Sequence, residues 1–193
     1  MHPSAAHADT RLTYDDLVLL QEDGRRHEII DGEHYVTPTP NVRHQRLVGR
    51  LHIELALHLR AHPTAGQLFL APLDVVLSFF DVVEPDLLFV AADQSEILTD
   101  KNVQGPPALL IEVLSKSTRK HDAQTKRRLF ERTGVREYWL VDPELDTVQV
   151  LRLSEKNRLV RVVELTAEDD EVLTSPLLPG LAVNLRELFR DSV

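Results

Sequence analysis

The sequence predicts an α/β fold in which a buried sheet is covered on both faces. Three observations carry this. Two runs, Leu87-Leu88-Phe89-Val90 and Ala108-Leu109-Leu110-Ile111-Glu112-Val113-Leu114, are apolar almost without interruption, as central strands screened from water on both sides are. The stretch from Asn41 to about Ala61 puts Leu47, Val48, Leu51, Leu55 and Leu59 on one stripe, the pattern of an amphipathic helix. Strand and helix patterns alternate along the 193 residues with no internal repeat and no long linker, so residues 11–193 are expected to form one domain.

The elements follow in order. Thr13-Tyr14-Asp15-Asp16 resembles a capping box, with Asp in the place of Glu or Gln, and opens a short helix through Leu20 that Gly24 ends. Arg26 to Ile30 and His34 to Val36 read as two strands around an Asp31-Gly32 turn, a strong hairpin signal. Pro38 and Pro40 break the chain before the long helix. Strands are expected near Gln67–Leu70, Asp74–Leu77, Leu87–Val90 and Ala108–Leu114. A second long helix runs from about Thr118 to Thr133 and closes on Gly134. Glu137 to Val141 is a central strand, with Tyr138 and Trp139 filling the core on opposite faces. Gln149–Leu153 and Leu159–Glu164 form a hairpin, and a last short helix covers Leu185 to Phe189.

Composition narrows the function. The chain has no cysteine, which excludes a disulfide framework, a thiolate metal site or a cysteine nucleophile and suits a reducing cytoplasm. No apolar run approaches the ~18 residues of a membrane span. Met1 to Thr10 lacks the basic and apolar stretches of a signal peptide and is expected to fray. The net charge of −9 argues against broad affinity for nucleic acid. Its distribution is uneven, however. Between Lys116 and Arg136 eight basic residues meet two acids, Asp122 and Glu131. A solvated helix face explains that run as well as a phosphate-binding surface does.

The chemistry sits just before this run. Pro85-Asp86 opens one apolar strand, and Glu112 lies inside another. A carboxylate so placed has to be paired, protonated or bound to a metal, because burying its charge alone is very costly. Pro-Asp by itself is more often a turn, but Glu112 among Leu109, Leu110, Ile111, Val113 and Leu114 needs a partner. Lys126 falls four residues after Asp122, a spacing that equally describes an ordinary helix salt bridge. Glu28 lies mid-strand and Asp74 begins one; each has a plain structural explanation. His58 and His62 have the spacing of a zinc pair, but no Glu follows His58 and Pro63 ends the helix at once. Glycine-rich phosphate loops, nucleophile elbows and dinucleotide fingerprints are absent from the sequence.

Taken together, several segments resemble the Uma-type restriction endonucleases of the PD-(D/E)XK nuclease superfamily. They are Arg26-His27-Glu28-Ile29-Ile30-Asp31-Gly32, His44, Glu84-Pro85-Asp86-Leu87-Leu88-Phe89-Val90, Ile111-Glu112-Val113-Leu114-Ser115, Asp122 with Lys126, Gly134 to Pro143, and Pro179-Gly180-Leu181. The resemblance implies a restriction-endonuclease-like core, a mixed central β-sheet flanked by helices with a divalent metal at its open edge. It implies Mg²⁺, or Mn²⁺, held by Asp86 and Glu112, with Lys126 and Glu28 completing the catalytic group. It implies a DNA substrate, for which Arg119, Lys120, Arg127 and Arg128 of the basic helix are the expected phosphate contacts. Because cutting both strands of a duplex takes two active sites, a homodimer is expected, with Val148, Val150, Leu159 and Val163 of the C-terminal hairpin as its contact. The chain departs from the superfamily where a literal Glu-X-Lys would put its lysine, since position 114 is Leu114. Lys126 takes that role in the resemblance and Lys116 is the other possibility. Phe130 stands where the family has tyrosine. Two other readings stay open: a nucleic-acid-binding module without catalysis, and a structural oligomer in which Glu112 simply pairs with Lys126.

Overall fold

The Asp31-Gly32 turn closes as its residues require. Both adopt positive φ, 55° and 79°, as a two-residue type I′ hairpin demands, and the turn joins β1 (Arg26–Ile30) to β2 (Glu33–Thr37) with Ile30 opposite Glu33. The structure, a computed structural model, describes residues 11–20 and 24–190, and the expected fraying of Met1 to Thr10 lies outside them. Helix α1 (Tyr14–Val18) carries the capping box: Thr13 Oγ1 accepts from the Asp16 amide, and Asp16 Oδ2 accepts from the Thr13 amide at 2.8 Å. It ends at Val18 rather than Leu20, and none of its residues is buried.

Two sheets make up most of the fold. The first has strand order β2-β1-β5-β4-β7, with β4 (Val75–Ser78), β5 (Asp81–Val83) and β7 (Val103–Gln104). The second has order β11-β10-β9-β8-β6-β3. Its strands are β3 (Gly66–Leu70), β6 (Leu87–Ala91), β8 (Leu109–Val113), β9 (Glu137–Asp142), β10 (Thr147–Leu153) and β11 (Leu159–Thr166). Only β8 and β9 run parallel in it, with Glu112 opposite Leu140, so this central sheet is mixed.

Its two faces are covered by different elements. Helix α2 (Val42–Ala61), capped by Asn41, lays Leu47, Val48, Leu51 and Leu55 against Leu109, Ile111, Val113, Trp139 and Val141. Each such fully buried side chain is worth roughly 1.5–3 kcal/mol. The hairpin β12 (Val172–Ser175) and β13 (Leu178–Asn184), followed by α4 (Leu185–Phe189), closes that side. On the opposite face Leu110, Leu114, Tyr138 and Leu140 meet Leu129 and Phe130 of α3 (Arg127–Thr133) and residues of the first sheet such as Ile30, Val75 and Val83. Side chains alternate along a strand, so Glu112 shares the α3 side with Leu110 and Leu114. Trp139 and Tyr138 divide between the faces as expected.

Three differences from the sequence-based expectations have physical causes. Helix α3 closes on Gly134 at φ 89°, but the stretch before it, His121–Lys126, is a π turn, and a wider turn leaves no trace in the apolar spacing. Strands β5, β7 and the β12–β13 hairpin are short or broken by irregular register, too little chain for alternation to show. In the β10–β11 hairpin, Val148, Val150 and Leu159 are wholly inside, so they form no surface for a second copy. The bulge between Val150 and Leu151 leaves Val160, Val162 and Val163 outward instead. Among the described residues no helix is long and apolar enough to cross a membrane.

Candidate active site

The two central-sheet acids meet where β6 begins and β8 ends. Asp86 immediately precedes β6, whose first residue, Leu87, lies opposite Ile111. Its carboxylate is nearly fully buried and held by three groups. Oδ1 accepts from Arg26 Nη1 at 2.7 Å, Oδ2 accepts from the Val113 amide at 2.8 Å, and His44 Nε2 lies 3.1 Å from Oδ2. Burial alone would raise its pKa. The hydrogen bond from His44, the Arg26 charge and the Val113 amide outweigh burial, and Asp86 titrates below its ordinary value.

Glu112 and Lys126 form the second half. Lys126 Nζ is 2.8 Å from Glu112 Oε1, 2.7 Å from Glu28 Oε1 and 3.6 Å from Asp122 Oδ1. The i,i+4 partner is thus the most distant of its three carboxylates. All four side chains are buried. One ammonium cannot balance three carboxylates, and their environments separate them. Burial pushes Glu112 well above its ordinary value; Lys126 opposes this, while Asp122, Asp86 and Glu28 add to it. Glu28 is as deeply buried, yet Lys126, His121 and the Glu84 amide bring it down to about 2. The surroundings therefore favour the ionised form of Glu28 facing Lys126 and oppose ionisation of Glu112. For Lys126 itself, the three carboxylates overcome desolvation and keep it protonated.

Asp86, Glu112, Asp122 and Lys126 border one cleft of about 480 Å³ with Arg26, His44, the Pro38-Thr39-Pro40 segment and Ser115 to Thr118. Lys116 also borders it but points away, 87% exposed and 3.3 Å from Glu144, so of the two lysines it is Lys126 that meets Glu112. Of the basic-helix residues, Arg119 is bound to Asp142 and Glu144, and Arg127 donates to the Leu159 carbonyl at 2.6 Å. Lys120 and Arg128 reach solvent, and none of these four lines the cleft. Asp74 stands apart, in a second cavity of about 900 Å³ that shares Arg26, Pro40 and Asp86 with the cleft. There burial, Asp74 and Glu28 push Glu84 up to about 7. His58 and His62 stack at 4.4 Å near the end of α2 and line neither cavity.

Arg26 and His44 stand out in the sequence only as parts of motifs, and His121 not at all. Arg26 and Glu28 share a strand face by alternation, and the Asn41 cap sets His44 in the first turn of α2. His121 lies 3.7 Å from Glu28 Oε2 and packs on Tyr35. Tyr138 packs edge-to-face on Phe130, and its hydroxyl donates to the Asp122 carbonyl at 3.3 Å.

The donor set suits one kind of metal. Among the described residues no three His, Cys, Asp or Glu side chains are grouped to hold an ion by themselves. Two carboxylates on an open cleft fit Mg²⁺, which binds through one or two carboxylates and fills its other positions with water and phosphate oxygens. They do not fit zinc, which takes three or four protein ligands.

Comparison with known proteins agrees with this architecture. The family described as "Uma2: Putative restriction endonuclease" matches residues 13–186. A solved structure described as a putative nuclease belonging to DUF820, from Anabaena variabilis, superposes with a TM-score of 0.76 at 19% sequence identity, covering 92% of this chain and 97% of that one. Comparison with curated proteins gave no match.

Proposed function

The chain belongs to the Uma2 family, and from that premise we propose that it is a Mg²⁺-dependent DNA endonuclease that hydrolyses phosphodiester bonds. The observation that carries the reading is the convergence of Asp86, Glu112 and Lys126 on one cleft. Asp86 and Glu112 would hold the cation. When bound, it supplies Lewis acidity at the phosphate and lowers the pKa of a coordinated water.

The protein's own groups do the rest. His44 and the Val113 amide hold the Asp86 carboxylate in place, and Arg26 balances its charge. Glu28 keeps Lys126 charged and in place, so its ammonium stands ready beside Glu112 for the charge that develops on the attacked phosphate. A cation held there would offset the burial and the neighbouring carboxylates that oppose ionisation of Glu112. The segment Pro38 to Pro40 and residues Ser115 to Thr118 wall the site. Lys120 and Arg128, both exposed, would meet backbone phosphates beyond the cleft, and cutting both strands of a duplex would take two copies of the chain.

The other reading is structural: Lys126 bound at 2.8 Å to Glu112 and 2.7 Å to Glu28 is also what a buried ion network looks like. Titrating the protein with Mg²⁺ and with Mn²⁺ by calorimetry, alongside Glu112→Gln, separates the two. The nuclease reading expects binding that Glu112→Gln weakens, together with metal-dependent DNA cleavage by the parent. Absence of metal binding by the parent would favour the structural network.

A further inference from the structure

We propose that Arg26 is a phosphate-binding residue of this cleft, parked on Asp86 until a divalent cation displaces it. The proposal rests on the nuclease reading above. Both oxygens of Asp86 are engaged by protein groups, Oδ1 by Arg26 and Oδ2 by the Val113 amide and His44. Three of the roughly four acceptor positions of the carboxylate are thus taken, and a cation entering there would compete with these partners. The Val113 amide is main chain at the end of the interior strand β8. His44 is 4% exposed and sits in the first turn of α2 under the Asn41 cap.

Arg26 is the partner with room to move. Its side chain is 19% exposed. It opens β1 and borders both the 480 Å³ cleft and the 900 Å³ cavity beside it. The residue lines two neighbouring volumes into which its side chain would have room to turn. Its remaining bond, to the Glu84 carbonyl at 3.2 Å, comes from the same nitrogen and is long.

A cation on Asp86 would take over the carboxylate and repel a guanidinium a few ångströms away. The freed group stays at the cleft mouth, where its planar fork matches phosphate oxygens. The cleft needs such a group. Lys126 is held between Glu28, Glu112 and Asp122 deep in the cleft, whereas Arg26 would lose its counter-ion at the moment the metal enters. Metal binding and phosphate binding are then coupled through one side chain.

The test uses Mn²⁺ alone, by calorimetry, on the parent, Arg26→Met and Asp86→Asn, followed by binding of a duplex oligonucleotide in Ca²⁺ over a range of salt. Arg26→Met is expected to bind Mn²⁺ at least about tenfold more tightly than the parent, because a repelling charge has gone. In Ca²⁺ it is expected to bind DNA more weakly, with a salt slope lower by about one unit for the single phosphate that Arg26 would neutralise. Arg26→Gln, which retains a donor to Asp86 without the charge, reports the same two changes should the methionine variant not fold. Unchanged or weaker Mn²⁺ affinity in the variants overturns the displacement, and an unchanged salt slope overturns the phosphate role. If neither parent nor variant binds Mn²⁺, or if Asp86→Asn binds it as the parent does, the metal-site reading itself has failed.

Discussion

The ammonium of Lys126 and the carboxylate of Glu28 sit 2.7 Å apart, tying the first strand of the chain to the helical segment that follows β8. Glu28 titrates at about 2 against an ordinary 4.5. An acid whose folded value is depressed stabilises the fold above its unfolded pKa, and the effect is lost as pH falls toward the folded one. Glu28 therefore contributes fully above about pH 4.5, and its share disappears between there and about pH 2. Glu28→Gln is expected to cost ~3 kcal/mol at neutral pH, as breaking a buried pair does, and to flatten acid destabilisation in that window. Urea unfolding at a series of pH values measures both; parallel curves for parent and variant would show that the pair contributes little.

Glu112 runs the other way. Its folded pKa is raised by burial and by the carboxylates around it, so the fold favours its protonated form. The resulting penalty is absent below its unfolded pKa, grows as pH rises from there, and is complete above the folded one. NMR titration of the metal-free protein is expected to find Glu112 well above the ordinary glutamate range, and Mg²⁺ is expected to pull it down. An ordinary value without metal would mean that Lys126 already neutralises it.

Cleavage and binding should separate by charge. Asp86→Asn, Glu112→Gln and Lys126→Ala are each expected to lower cleavage by at least ~10²-fold, the scale on which one preorganised electrostatic group acts. The two carboxylate variants are expected to keep DNA binding, or strengthen it, because each removes repulsion with phosphate. Gel-shift and cleavage assays on the same preparations decide this; an Asp86→Asn protein that cuts at the parental rate would place the activity elsewhere.

Arg127→Ala with Arg128→Ala is expected to weaken DNA binding and lower its salt slope by about one unit for every phosphate left without a cation. The bond from Arg127 to the Leu159 carbonyl makes the Arg128→Ala single variant the cleaner comparison. Fluorescence anisotropy against salt concentration gives the slope, and a double variant with the parental slope would remove this helix from the DNA-binding surface.

If the protein dimerises as proposed, the exposed face of β11 is the apolar surface to disrupt. Val162→Glu should then shift a dimer to monomer in light scattering at micromolar concentration. A parent that is already monomeric would point to nicking of one strand.

Much of this site is legible in the sequence because buried charge is rare. Glu112 stands out for its apolar neighbours, and alternation alone places Glu28 and Arg26 on one strand face. The capping box at Thr13, the Asp31-Gly32 turn and the α2 stripe are readable for a related reason: each depends on residues within a few positions. Lys126 is less transparent. Its spacing from Asp122 points to a helix salt bridge, yet its closer partners come from β1 and β8. The partners of His44 and His121 lie far away in sequence, which hides both. In β11 the consecutive residues Val162 and Val163 both face outward, beside a bulge that strict alternation does not foresee.

The parallel pairing of β8 with β9 has a wider consequence. Parallel neighbours need a crossover, and here the crossover is the helical stretch that bears Asp122 and Lys126. Glu112 and Lys126 are thus inherited together on one short contiguous segment, whereas Asp86, Glu28, Arg26 and His44 come from earlier in the chain. Exchanging that segment between relatives would carry over one half of the charge arrangement intact and set it against a foreign other half. Chimeras cut just before Leu109 and just after Asp142 would report how far the two halves have diverged together.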